Sequence, residues 1–75
     1  MPREQTIRIL AEMVANVIVV EVAVDDQIAA GDTVCLLESM KMEIPVLAEV
    51  GGTVDEVRVT EGDVVQEGDV LVVLA

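Results

Sequence analysis

Val54-Asp55-Glu56-Val57-Arg58-Val59-Thr60 is followed by Glu61-Gly62-Asp63, then Val64-Val65, then Gln66-Glu67-Gly68-Asp69, and finally Val70-Leu71-Val72-Val73-Leu74. Valine-rich runs alternate here with short acidic-glycine clusters. β-Branched side chains suit a pleated, half-buried surface better than a helix. Glycine supplies the positive φ that tight turns need, and aspartate hydrogen-bonds its own turn. The stretch therefore reads as strand, turn, short strand, turn, strand. No run holds a 3.6-residue apolar period, so helix is disfavoured. Short strands at regular spacing predict an all-β sandwich or flattened barrel.

The same order occurs 37 residues earlier. Val17, Val20 and Val22 recur as Val54, Val57 and Val59. Asp26, Gly31 and Asp32 recur as Asp63, Gly68 and Asp69, and Leu37 as Leu74. Ile7, Leu10, Ala11 and Glu12 recur as Ile44, Leu47, Ala48 and Glu49. Ile9 with Val46, Ile28 with Val65, Val34 with Leu71 and Leu36 with Val73 are conservative matches. Two copies are too few for a solenoid. They predict one domain with pseudo-twofold symmetry, spanning 6–75, with a loose segment at 1–5. Pro45, in a strand-like stretch, predicts an edge, a strand start or a bulge.

With 75 residues the chain has room for one core. It is 53% hydrophobic without any Phe, Tyr or Trp, so that core is aliphatic. Cys35, the only cysteine, lies in Val34-Cys35-Leu36-Leu37 and reads as a buried strand residue. The net charge of −11 sets a field that repels phosphate backbones and anionic lipid, against nucleic-acid or membrane-surface roles. No secretory signal is evident and the apolar stretches are too short to span a bilayer, so a cytoplasmic location is expected. There is no phosphate loop, no calcium-loop spacing and no metal-ligand cluster. Histidine is absent and no nucleophile–base pair is evident, so an enzyme in its own right is disfavoured.

Chemistry concentrates in Leu36-Leu37-Glu38-Ser39-Met40-Lys41-Met42-Glu43-Ile44. Two apolar strands flank this stretch, so the chain reverses within Ser39 to Met42. Tight hairpins favour Asn-Gly or Asp-Gly, because the central residues need positive φ. Met40 and Lys41 at that place bear a conformational cost. Lys41 is also the only lysine. A turn without turn residues, holding the sole lysine between two methionines, indicates selection for something other than folding. The repeat maps Lys41 onto Glu4, which places the hairpin at one end of the domain and the termini near the other.

Ser39-Met40-Lys41-Met42, preceded by Glu38, resembles the Met-Lys-Met signature of the biotinyl (biotin/lipoyl attachment) domain family. Ala11-Glu12-Met13-Val14-Ala15-Asn16-Val17 and Ala48-Glu49-Val50-Gly51-Gly52-Thr53-Val54 resemble its paired Ala-Pro-x-x-Gly-x-Val segments. The Gly-Asp turns match as well, so the resemblance covers nearly the whole chain. It is nearer to short stand-alone biotin carboxyl carrier proteins than to longer carriers. Departures are Ser39 where alanine is commoner, Val14-Ala15 in place of Pro-Gly, and Asp25 where the second half has Gly62.

The resemblance implies a barrel-sandwich hybrid of two four-stranded antiparallel sheets, with the lysine hairpin joining two strands of one sheet. It implies covalent biotin on Lys41, placed there by biotin protein ligase. A biotin carboxylase and a carboxyltransferase are then the partners between which a carboxyl group is shuttled. The chain itself supplies tethering rather than catalysis. Met40 and Met42, soft and adaptable, are expected to shape the ligase's recognition surface and to pack near the biotin ring. Glu38 and Glu43, with Ser39 between Glu38 and the turn, flank the hairpin as solvated charge or as contacts for basic groups on the ligase. A lipoyl carrier shares this fold, but typically shows Asp-Lys-Ala at the lysine. An unmodified binding or assembly module is the alternative of a different class, and it has no need of a Met-Lys-Met tip.

Overall fold

The computed structural model describes residues 6–75, so the expected loose segment at 1–5 lies outside the described residues. Eight strands follow in order: β1 Ile7–Leu10, β2 Ala15–Val20, β3 Gln27–Ile28, β4 Thr33–Ser39, β5 Met42–Leu47, β6 Gly52–Val57, β7 Val64–Val65 and β8 Val70–Leu74. They form two antiparallel four-stranded sheets, β1-β8-β6-β3 and β5-β4-β2-β7. Moving along the chain by 37 residues converts one sheet into the other, as the repeat requires. Between them lies an aliphatic core whose least exposed members are Leu37, Leu71, Leu74, Val34, Val54, Val72 and Cys35.

The halves are interlocked by backbone hydrogen bonds. The Asp25 N–H donates to the Val54 carbonyl and the Val54 N–H to the Asp26 carbonyl, each at 2.8 Å. Their symmetry mates run from Gly62 N–H to the Val17 carbonyl and from Val17 N–H to the Asp63 carbonyl, also at 2.8 Å. A second reciprocal set joins Gly31 and Asp32 to Ala48, and Gly68 and Asp69 to Ala11. Turns of each half thus satisfy strand groups of the other. Neither half can pair its own backbone polar groups alone.

Four turns share one construction. The carboxylates of Asp26, Asp32, Asp63 and Asp69 accept from the N–H groups of Ala23, Ala29, Thr60 and Gln66 at 2.8–2.9 Å. The residue before each aspartate has positive φ: Asp25 at 79°, Gly31 at 93°, Gly62 at 96° and Gly68 at 93°. Asp25 therefore reproduces the loop geometry of its glycine counterpart Gly62. It does so in the left-handed region, which costs a side-chain-bearing residue about 1–2 kcal/mol, with aspartate among the better tolerated.

Two sequence expectations change in extent. The run quoted as Val54–Thr60 leaves its sheet after Val57, and its repeat counterpart, which includes Val17, Val20 and Val22, leaves after Val20. Val22 and Val59 still pack on the core from the crossovers that follow. Alternation of apolar residues reports burial, and here burial outlasts the ladder. Pro45 lies in β5, at the edge of its sheet, where its missing N–H leaves no central ladder bond unmade.

Cys35 is buried in β4. Removal from solvent, with the Glu21 carboxylate adding to it, pushes the thiol up to about 11 from 9.0. The folded chain thus keeps a proton that the unfolded chain releases above pH 9, so unfolding is favoured as pH rises from about 9 through about 11. Folding stability is expected to fall across that interval. Replacing Cys35 with valine should flatten the decline in urea titrations between pH 8 and pH 11. An unchanged slope would assign the loss to another group.

Candidate functional site: the Lys41 hairpin

β4 and β5 pair in register up to the tip, with Leu37 opposite Ile44, Glu38 opposite Glu43 and Ser39 opposite Met42. Only Met40 and Lys41 remain for the turn. Their φ values are 54° and 67°, so both central residues are left-handed, as a two-residue type I′ connection requires. The sequence reading of a hairpin closed by these two residues is what the backbone adopts. Each carries a cost of roughly 1–2 kcal/mol relative to a right-handed conformation, which a glycine would not incur.

The base of the hairpin is anchored and its tip is open. Leu37 is buried and its partner Ile44 half-buried, so the base of the hairpin is held by the core. Met40 is 90% exposed and Met42 64%, and Lys41 is exposed between them. Among the described residues the salt bridge found is Arg58 with Glu56, at 3.4 Å. Among the described residues Lys41 accordingly makes no ion pair with Glu38 or Glu43, and its side chain is exposed.

Glu38 and Ser39 are half-buried, whereas Glu43 is exposed. Glu38 lies between Asn16 of β2 and Glu43 of β5. Like charges directly opposite on neighbouring strands oppose folding. Asn16 is a neighbour that reading along the chain did not single out, because only strand pairing brings it beside Glu38. β2 starts beside the hairpin, and the crossover beyond it leads to Asp25–Asp26 and their bonds to Val54. Val54 is paired with Leu74, and the Ala75 N–H donates to the Thr53 carbonyl at 2.8 Å. Lys41 and the C-terminal residue therefore lie at opposite ends of the domain.

The family model for the biotin/lipoyl attachment domain, described as that of biotin-requiring enzymes, matches residues 8–74. The chain belongs to the biotin/lipoyl attachment domain family. It is 57% identical over 65 residues to the biotinylated protein TB7.3 homolog of Mycobacterium leprae, covering 87% of this chain and 92% of that one. It is 52% identical over 64 residues to the biotin/lipoyl attachment protein of Bacillus subtilis, covering 85% and 88%. The urea carboxylase of Kluyveromyces lactis superposes with a TM-score of 0.89 at 29% identity, over 100% of this chain and 7% of that enzyme.

A biotin/lipoyl attachment domain is a carrier and not a catalyst. No group of three or more His, Cys, Asp or Glu side chains suited to a metal occurs among the described residues. No helix among them is long and apolar enough to cross a membrane.

Proposed function

We propose that this biotin/lipoyl attachment domain is a biotin carboxyl carrier, with biotin joined through an amide to Lys41 Nζ. The observation that carries the reading is the hairpin tip: the sole lysine, exposed and without an ion pair among the described residues, on a left-handed turn between two exposed methionines. When attached, biotin supplies a ureido nitrogen able to hold a carboxyl group. This chain's residues hold the attachment point and present it. Leu37 and Ile44 fix the hairpin base to the core, so the amine projects at a defined end of a rigid domain. Met40 and Met42 offer polarizable, uncharged surface against which an apolar ring system packs without desolvating a charge.

The chain matches the M. leprae and B. subtilis proteins over most of their lengths and one domain's worth of a large carboxylase. These likenesses support biotin protein ligase as the modifying enzyme, and a cytoplasmic biotin carboxylase with its carboxyltransferase as the partners. Tethering raises the effective concentration of the cofactor at both sites without any new contact. Methionines at both flanks of Lys41 favour biotin over lipoate.

The test is intact-mass spectrometry after co-expression with biotin protein ligase and free biotin, with fragmentation to locate the adduct. One biotinyl group on Lys41 is the expected result. An unmodified chain, where a known carrier is fully labelled, would move the reading to lipoylation or to a binding module.

A further inference from the structure

The repeat divides the chain into two halves, 7–39 and 42–75, and the Met40–Lys41 turn is the link between them. Each sheet draws two strands from either half. β1 and β3 join β8 and β6 in one, and β4 and β2 join β5 and β7 in the other. The reciprocal bonds at Val17 and Val54, and at Ala11 and Ala48, also run between the halves. The domain is therefore closed by an interface between halves, and those contacts are satisfied equally when the halves belong to two chains. Only the two-residue turn ties them to one.

That turn is strained. Among the described residues it is the one place where two consecutive residues bearing side chains are left-handed, at 54° and 67°. Short connections under strain favour exchange of segments between copies. The register permits exchange here. Leu36–Pro45, Leu37–Ile44, Glu38–Glu43 and Ser39–Met42 pair without a shift up to the tip. When Met40 and Lys41 extend, β4 runs directly into β5. The same ladder then continues between two antiparallel chains, with Met40 of each opposite Lys41 of the other about a twofold axis. Every pair of the closed hairpin is kept and two left-handed turns are removed. The tip is open to a second copy, with Met40 90% exposed and Lys41 exposed.

We propose that this chain exchanges halves with a second copy about the Met40–Lys41 hinge, forming a twofold dimer in which Lys41 lies within a continuous strand. The partner is a second copy because this chain carries the complementary half in matching register. The functional consequence rests on the biotin-carrier reading. In the dimer Lys41 passes between two domain bodies instead of standing at a hairpin tip. A ligase that takes its lysine from the tip acts on the monomer, so exchange and biotinylation exclude one another.

The test refolds the purified chain from denaturant at about 1 mM, near the effective concentration that a short linker gives its ends. Size exclusion with light scattering should find a dimer that persists on dilution, because reversal requires the halves to part. Met40→Asn with Lys41→Gly supplies residues suited to the turn, and should lower the dimer-to-monomer ratio at least about 10-fold. Exchange is separated from surface association by Glu38→Cys with Glu43→Cys in a Cys35→Val background. These two positions face each other closely enough for a disulfide. Oxidation with glutathione disulfide should link two chains in the dimer fraction and close within one chain in the monomer fraction, as read by electrophoresis without reductant. Purified biotin protein ligase should label the wild-type dimer at least about 10-fold more slowly than the monomer.

Absence of a dimer from the refolded wild type overturns the proposal. A dimer whose engineered disulfide stays within each chain overturns it too, by giving the association to an outer surface. Equal labelling of monomer and exchanged dimer would overturn the exclusion of the ligase. A monomer that is itself unlabelled refutes the carrier reading and leaves the exchange standing, a result distinct from the others.

Discussion

Lys41→Arg should remove biotinylation, with labelling reduced at least about 1,000-fold, while thermal unfolding stays within a few degrees of the wild type. Arginine keeps the charge and much of the side-chain length, but its guanidinium stays protonated and does not supply the free amine that amide formation needs. The fold has little reason to respond. Lys41 is exposed and makes no ion pair among the described residues. Its φ of 67° is as costly for arginine as for lysine. The chain has no second lysine, so no neighbouring side-chain amine can substitute. Streptavidin-shift and intact-mass measurements read the outcome, and residual biotin on the variant would sink the assignment of Lys41.

The largest effect on stability is expected from Leu71→Ala. Leu71 is 0% exposed, in β8 between its partners β1 and β6, and is the repeat counterpart of fully buried Val34. Truncation removes apolar contacts and leaves a cavity that an interlocked barrel has little freedom to close. Such changes cost about 2–5 kcal/mol. In a domain of this size that corresponds to roughly 10–30 °C in Tm. The aliphatic core contains no aromatic ring that could swing into the space. Calorimetry or circular dichroism should show the shift. A decrease of under about 5 °C would mean that the sheets close over the gap.

The two predictions separate the parts of the molecule that differed in legibility. Strand identity, the turns at Gly31-Asp32, Gly62-Asp63 and Gly68-Asp69, the buried Cys35 and the restriction of Pro45 to an edge, a strand start or a bulge were readable, because each is a local consequence of residue type; that it is the edge was decided by strand order. The type I′ turn was readable for the opposite reason. Met40 and Lys41 are wrong for a turn, and the mismatch marked the site. Strand ends were less legible: Val22 and Val59 continue the alternation after the ladder has stopped. A side chain responds to burial whether or not its backbone is paired.

By itself the sequence determined that the chain is all-β, that two like halves share one core, and that Lys41 is singled out at a hairpin tip. Periodicity, turn chemistry and the spacing of the repeat are properties of order along the chain. Only the tertiary structure decided which strands are neighbours. It placed Asn16 and Glu43 on either side of Glu38. It also decided that each half's turns close on the other half through Val17 and Val54. Those pairings join residues far apart in sequence, and backbone groups carry no residue-specific label. Their partners are selected only when both sheets bury their apolar faces at once.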